Sequence, residues 1–205
     1  MVTQRNAYAK SDGNAEVMDT PYDRWASAQG IDVFKGYFVE NLFTIPLNWW
    51  ERFGGYGILI NLEGTGYMDD AFVLSIPPGA KSKPQRHVFE ELTYVLSGKG
   101  ATTVLWPEGK KKMRVDWGPG AMLVPPEGWF HQHFNPGVRP ARYLALKVLS
   151  RKYKLQPGAI KGDVPLDKGG WQIEYENEDP DIRRVFAAEC ARTGAIMRMA
   201  DFART

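Results

Sequence analysis

The chain has 205 residues, 43% of them hydrophobic and 24% charged, enough for one domain with extensions and a core that needs no disulfide staples. Lys+Arg 26 against Asp+Glu 24 leaves a formal charge of +2, which argues against nucleic acid or an anionic membrane as the main partner. The single Cys190 excludes an intramolecular disulfide and a cysteine-based zinc cluster. No apolar run approaches the ~18 to 20 residues of a membrane span, no secretory signal is expected from the polar first twenty residues, and the expected compartment is cytoplasmic.

Residues 1–19 are polar and aperiodic, and read as a flexible N-terminal arm. Thr20 and Pro21 make a helix start, with Thr20 as N-cap and Pro21 at the first helical position, and Gly30 is the expected stop. The stretch from Gly36 to Gly55 is crowded with Tyr37, Phe38, Phe43, Trp49, Trp50 and Phe53. Aromatics at this density need burial, and core or interface packing fits them better than a substrate-stacking wall. From Tyr56 onward short apolar runs are broken by Gly and Pro: Tyr56–Leu62, Ala71–Ile76, Leu92–Leu96, Ala101–Trp106, Ala121–Val124 and Tyr143–Leu149. Short strands with frequent turns indicate an all-β sandwich or barrel. Lys110-Lys111-Lys112 reads as a solvated hairpin tip, and Gly54-Gly55-Tyr56-Gly57 lacks the Gly-Lys-Ser/Thr that a phosphate loop requires. Toward the end an acidic cluster (Glu174, Glu176, Glu178, Asp179) leads into a second helix. Asp179 is its N-cap, Pro180 its first residue, Ile182, Val185, Phe186 and Cys190 its buried stripe, and Thr193-Gly194 its end. The expected organisation is therefore an arm at 1–19, a barrel with its N-terminal helix and aromatic flank at 20–150, and a C-terminal extension ending in a helix at 151–205.

The three histidines carry the chemistry. In a strand, side chains alternate faces with a period of two. Gln85, His87 and Glu91 then share one face, as do His131 and His133. A polar set of this kind inside a barrel is costly unless something binds it, and a divalent metal is the simplest solution. Two imidazoles and a carboxylate with open positions form the facial triad used by non-heme iron oxygenases. By the same parity Thr93 and Phe89 join the ligand face, while Glu90 and Tyr94 face away.

These residues also fall at the spacings of a known family. Gly79, Gln85, His87, Glu91 and Gly98 follow one motif, with Gln85 where the family has its first His. Gly120, Pro126, Gly128, His131 and Asn135 follow the second without a gap. The sequence from about 56 to 150 resembles a cupin with one copy of the motif pair. The resemblance implies an all-β, double-stranded β-helix (cupin/jelly-roll) barrel with short N-terminal and C-terminal helices flanking it. It also implies metal ligation by His87, Glu91 and His131, with Gln85 at the fourth position. A carboxamide oxygen is a weaker ligand than imidazole, so contact to substrate or to another ligand suits Gln85 slightly better than direct ligation. His133, outside the motif, is a candidate general acid/base, or else a core histidine bonded to backbone.

Fe(II) or Mn(II) suits this donor set better than a closed zinc site, and affinity order alone leaves Ni(II), Zn(II) and Cu(II) open. The expected function is a metal-dependent enzyme on a small organic substrate, first as an O2-dependent, dioxygenase-type oxidoreductase. Gln85 or His133 would orient or deprotonate the substrate. The alternatives are a non-oxidative lyase, decarboxylase or isomerase acting on a small carboxylate, and a non-catalytic small-molecule-binding barrel. The expected partners are that small molecule and, from the family's habit of packing terminal strands together, a second copy in a homodimer; neither nucleic acid nor membrane is expected.

Overall fold

The computed structural model describes residues 21–63, 69–87, 90–98, 101–106, 109–148, 168 and 171–198. The arm at 1–19, the N-cap Thr20 and the pocket candidate Phe89 lie outside the described residues. The described elements are α1 (Pro21–Ala28), β1 (Val33–Gly36), β2 (Asn48–Trp50), a 3-10 turn (Glu51–Phe53), β3 (Gly55–Leu62), β4 (Asp69–Ile76), β5 (Glu90–Ser97) and β6 (Ala101–Trp106). They continue through β7 (Met113–Trp117), β8 (Met122–Leu123), β9 (Phe130–Phe134), β10 (Ala141–Val148), a second 3-10 turn (Tyr175–Asn177) and α2 (Pro180–Thr193).

Two sheets make the barrel. The larger has seven strands in the order β1-β3-β4-β10-β5-β8, with β2 also paired to β3; the smaller has the order β7-β6-β9. Apart from β1, which runs parallel to β3, the pairings are antiparallel. The protein is thus mostly strand with a short helix toward each end, as the all-β reading expects.

The alternation along the strands sorts their side chains into three apolar layers. Leu59, Phe72, Leu74, Val95, Trp117, Leu123, Tyr143 and Ala145 fill the barrel interior, joined by Tyr22 of α1, Trp50 and Phe53. Ile58, Ile60, Ala71 and Val73 point out of the larger sheet and are covered by Phe34, Ile45 and their neighbours. Phe130 and Phe134 point out of the smaller sheet against Ile182, Phe186 and Cys190 of α2. The boundaries of α2 follow the caps read from sequence. Asp179 accepts a hydrogen bond from the Asp181 N–H at 2.9 Å, and Gly194 closes α2. Lys110, Lys111 and Lys112 are exposed at the tip between β6 and β7.

The aromatic flank divides. Trp50 and Phe53 are buried, and their ring centres lie 5.5 and 5.3 Å from that of Phe72, edge-on and tilted respectively. Tyr37, Phe38 and Phe43 are 70%, 62% and 58% exposed, so burial within this chain does not account for them. Their neighbours Val39, Leu42 and Leu47 supply the contacts to the sheet instead.

Candidate metal centre

The two motifs meet through their backbones. Gln85 and His131 form an isolated bridge, with N–O distances of 3.1 and 2.8 Å in the two directions. Ser82 N–H donates to the His133 carbonyl at 2.9 Å, and Gly128 N–H to the His87 carbonyl at 2.9 Å. Asn135 anchors the far end, donating to the Ile76 and Arg139 carbonyls at 2.9 and 2.8 Å. Its place in the motif is therefore structural. The continuous strand expected over 85–91 is not formed. Gln85 makes only isolated bridges, to His131 and Gln172, Arg86 and His87 lie outside any strand, and β5 begins at Glu90. The parity argument nonetheless holds within the true strands: Glu91 and Thr93 of β5 are buried while Glu90 and Tyr94 are exposed.

His87, Glu91 and His131 come together inside the barrel. Their candidate ligand atoms all lie within 4.8 Å of one another. His87 Nε2 is 3.3 Å from Glu91 Oε2, and the His87 and His131 rings are 4.9 Å apart. Thr93 Oγ1 lies 3.4 Å from Glu91 Oε1. His131 is 1% exposed, and its Nδ1 stands 3.5 Å from the Trp129 carbonyl. With Nδ1 as the donor, Nε2 turns a lone pair inward. That Nε2 is buried with no hydrogen-bond partner among the described residues, an expensive arrangement unless a ligand takes it.

The electrostatics match a cation. Burial alone would push the Glu91 carboxyl up. The hydrogen bond and charge of His87, with the charges of Lys147 and His131, outweigh it and hold the group well below the usual carboxylate range. Burial, together with the charge of His87, drives His131 well below the ordinary histidine value. An ionised carboxylate beside a neutral imidazole is the donor set a divalent ion requires.

His133 lies on the same face, its ring 5.7 Å from that of His131 and 4.8 Å from that of Tyr143. Burial lowers its pKa to about 4. Gln85 is buried, and its Oε1 accepts from Arg52, Nε at 3.2 Å and Nη2 at 2.8 Å. Sequence reasoning missed three polar groups around this set. Tyr143 has a buried hydroxyl with no hydrogen-bond partner among the described residues, and burial raises its pKa well above the ordinary value. Lys147 is buried opposite Glu91 in the β10–β5 register, its Nζ 4.5 Å from the centre of the Phe72 ring. Burial lowers its pKa to about 8. Arg52 stands on the turn after β2. Tyr143 and Lys147 share the parity of Ala145 on β10, so a polar pair on the inward face of an apolar run was a readable signal. Arg52 had none.

A separate groove of about 380 Å³ lies outside the barrel between the β6–β7 hairpin and α2, lined in part by Arg114, Phe134, Ile182, Val185 and Phe186. None of the three histidines lines it.

Residues 72–147, which contain the whole cluster, match the family model described as a cupin domain. This segment is a cupin domain. A glucose-6-phosphate isomerase of Thermococcus kodakarensis is 31% identical over 104 residues, 51% of this chain and 49% of that protein. The chain therefore spans about half the length of the curated relative it matches. Among solved structures, Bacillus subtilis oxalate decarboxylase at pH 4.6 aligns with a TM-score of 0.42 and 18% identity over 47% of this chain and 26% of that one. The formate complex of Lactobacillus farciminis oxalate decarboxylase aligns with a TM-score of 0.46 and 18% identity over 54% and 32%. Within this cupin the His87–Glu91–His131 cluster is the candidate metal centre. No helix among the described residues is long and apolar enough to cross a membrane.

Proposed function

We propose that this cupin is a divalent-metal-dependent enzyme that moves a proton on a small organic substrate, as an isomerase or lyase. The observation that carries the reading is the buried His87–Glu91–His131 cluster, in which His131 Nε2 has no hydrogen-bond partner among the described residues. These three residues would hold the metal, with Gln85 at the fourth motif position, and Fe(II) or Mn(II) fits the mixed imidazole–carboxylate set. When bound, the ion supplies Lewis-acid polarisation of a substrate oxygen.

The chain's own residues supply the rest. His133 is kept neutral by burial, so its imidazole can take a proton from a substrate carbon or hydroxyl and return it. Tyr143, kept protonated by burial, can donate a hydrogen bond beside it. The walls of Phe72, Leu123 and Trp117 exclude water and strengthen these interactions. Similarity to an isomerase favours this non-oxidative reading. The O2-dependent, dioxygenase-type reading rests on the triad alone and is the outcome the test must distinguish.

The test starts with elemental analysis of protein purified without added metal or chelator, beside His131→Ala. Near-stoichiometric metal that disappears in the variant is expected. The loaded protein is then assayed for exchange of substrate C–H protons into D2O and for O2 uptake, against sugar phosphates and small hydroxy acids. Exchange without O2 uptake is the expected result. O2 uptake would replace the proposal with the oxygenase, and no metal after anaerobic loading would leave only the binding barrel.

A further inference from the structure

Among the described residues twelve large apolar side chains are exposed, and seven of them belong to the outward face of the larger sheet or to the segment lying on it. The first four are on the sheet itself. Alternation turns Leu144 and Leu146 of β10, Leu92 and Tyr94 of β5 and Met122 of β8 outward, and Val124 continues the row. Leu144 pairs with Tyr94, Leu146 with Leu92, and Tyr94 with Met122, so these side chains form one contiguous patch. Leu146, Tyr94, Met122 and Val124 are 42%, 41%, 64% and 54% exposed. The other three are Tyr37, Phe38 and Phe43, carried by the segment between β1 and β2.

That segment covers only half of the face. Val39, Leu42, Ile45 and Leu47 lie over Ile58 and Ile60 of β3 and Ala71 and Val73 of β4. Arg142 of β10 marks the margin of the cover, donating from Nη2 to the Ile45 carbonyl at 2.8 Å. The strand order β1-β3-β4-β10-β5-β8 therefore divides into a covered half and an open half that ends at the edge strand β8. Arg142 bounds the open half at one end of β10, and the exposed Asp69 and Glu90 flank the other end. An apolar patch inside a charged rim is the anatomy of a protein interface.

Area and shape both point to a second copy as the occupant. At these exposures the seven side chains present on the order of 700 Å² per copy, close to the ~800 Å² that each partner gives to an interface of standard size. A cover beside an open half makes a step beside a recess. A twofold axis running along the strands at their boundary seats each copy's step in the other's recess. A twofold across the strands would set cover against cover and hold the open halves about one sheet spacing, ~10 Å, apart. We propose that this face binds a second copy of the chain, with Tyr37, Phe38 and Phe43 of each copy packed on Leu92, Tyr94, Met122 and Val124 of the other. The proposal is independent of the metal reading, since these side chains point away from the His87–Glu91–His131 cluster.

Sedimentation velocity of the full chain and its variants tests the proposal, with circular dichroism and urea midpoints checking that each variant folds. Wild type is expected at about twice the 23.1 kDa chain mass. Met122→Asp on the open half and Phe38→Asp on the cover should each raise the dimer dissociation constant by about a hundredfold or more, because the symmetry buries two carboxylates in an apolar contact. Val185→Asp changes an exposed apolar side chain of α2, away from this face, and should leave the dimer intact. Cross-linking fixes the geometry. Cys190 is buried, so a bismaleimide joins only introduced thiols. Phe38→Cys and Met122→Cys, mixed and allowed to exchange subunits, should yield covalent dimer, and either variant alone should yield little. A wild-type monomer, an unchanged dimer in folded Met122→Asp, or as much covalent dimer from Met122→Cys alone as from the mixture would each overturn the proposal. For a monomer, a rise in apolar-dye binding on deletion of residues 1–19 would give the face to that arm instead.

Discussion

Gly98 closes the first motif, and its cost of substitution can be worked from the structure. Its φ is +104°, and a Cβ built there would lie 2.6 Å from both Cα and Cβ of Ala141. Ala141 is fully buried at the start of β10 and pairs with Ile76, so it cannot step aside without breaking that ladder. Gly120 of the second motif has φ +84° with nothing within 4 Å of its Cβ position. A left-handed L-residue costs ~1–2 kcal/mol, and the stiffer unfolded chain returns ~0.4–1, so Gly120→Ala should lose about 1 kcal/mol. Gly98→Ala carries the same backbone strain plus overpacking of ~1–3 kcal/mol, giving about 2–4 kcal/mol. In urea, with m about 2 kcal/mol/M, the midpoint of Gly98→Ala should fall about 1 M below that of Gly120→Ala at equal m. Equal midpoints for the two variants would refute the contact argument and leave only backbone strain.

The other expectations are briefer. His133→Gln should keep its metal while proton exchange falls by about 10²-fold or more; full retained exchange removes it from the reaction. A bound divalent ion should stabilise the chain by about 2.7 kcal/mol at a hundredfold excess over Kd, seen as a chelator-reversible rise in Tm that His87→Ala abolishes. Asp179→Ala should cost about 1 kcal/mol through loss of the α2 cap, read by urea denaturation, and an unchanged midpoint would contradict the capping geometry. Sedimentation velocity should report about twice the 23.1 kDa chain mass if the homodimer forms. Phe38→Asp, on the exposed aromatic flank, should then shift it toward monomer; a wild-type monomer ends that expectation.

Much of the fold was legible because its signals are local. Asp179-Pro180 and Thr193-Gly194 bracket α2 by capping chemistry alone, and the apolar runs mark β3, β4, β5, β6 and β10 to within a few residues. The strands passed over lack that signal. β7 reads Met-Arg-Val-Asp-Trp and is mostly exposed, and β1 and β2 exist through pairing with β3, a contact no local window contains. At the site, the alternation of His131 and His133 places both inward, whereas Gln85 and Glu91 do not share one strand, so the parity argument does not reach from one to the other. Gln85 bridges to His131 of β9, while Glu91 pairs with Lys147 of β10 in the other sheet. Arg52 was invisible because a 3-10 turn has no period to read. Tyr143 and Lys147 were visible in principle, as polar residues on the inward face of an apolar strand.

The strand that carries His131 and His133 has no solvent side. Its inward face holds the imidazoles, and its outward Phe130 and Phe134 lie under α2. Gln132 between them is buried too, donating to Glu178 at 2.6 Å and to the Ser82 carbonyl at 2.8 Å, while Lys81 pairs with Glu178 from the other side. The recognisable family segment ends at residue 147, some thirty residues before this second wall begins. Trimming the chain to the segment that matches the family would strip the roof from the ligand strand and leave two phenylalanines and a buried lysine facing water. The unit to express, crystallise or graft is set by what shields β9, and it runs through α2.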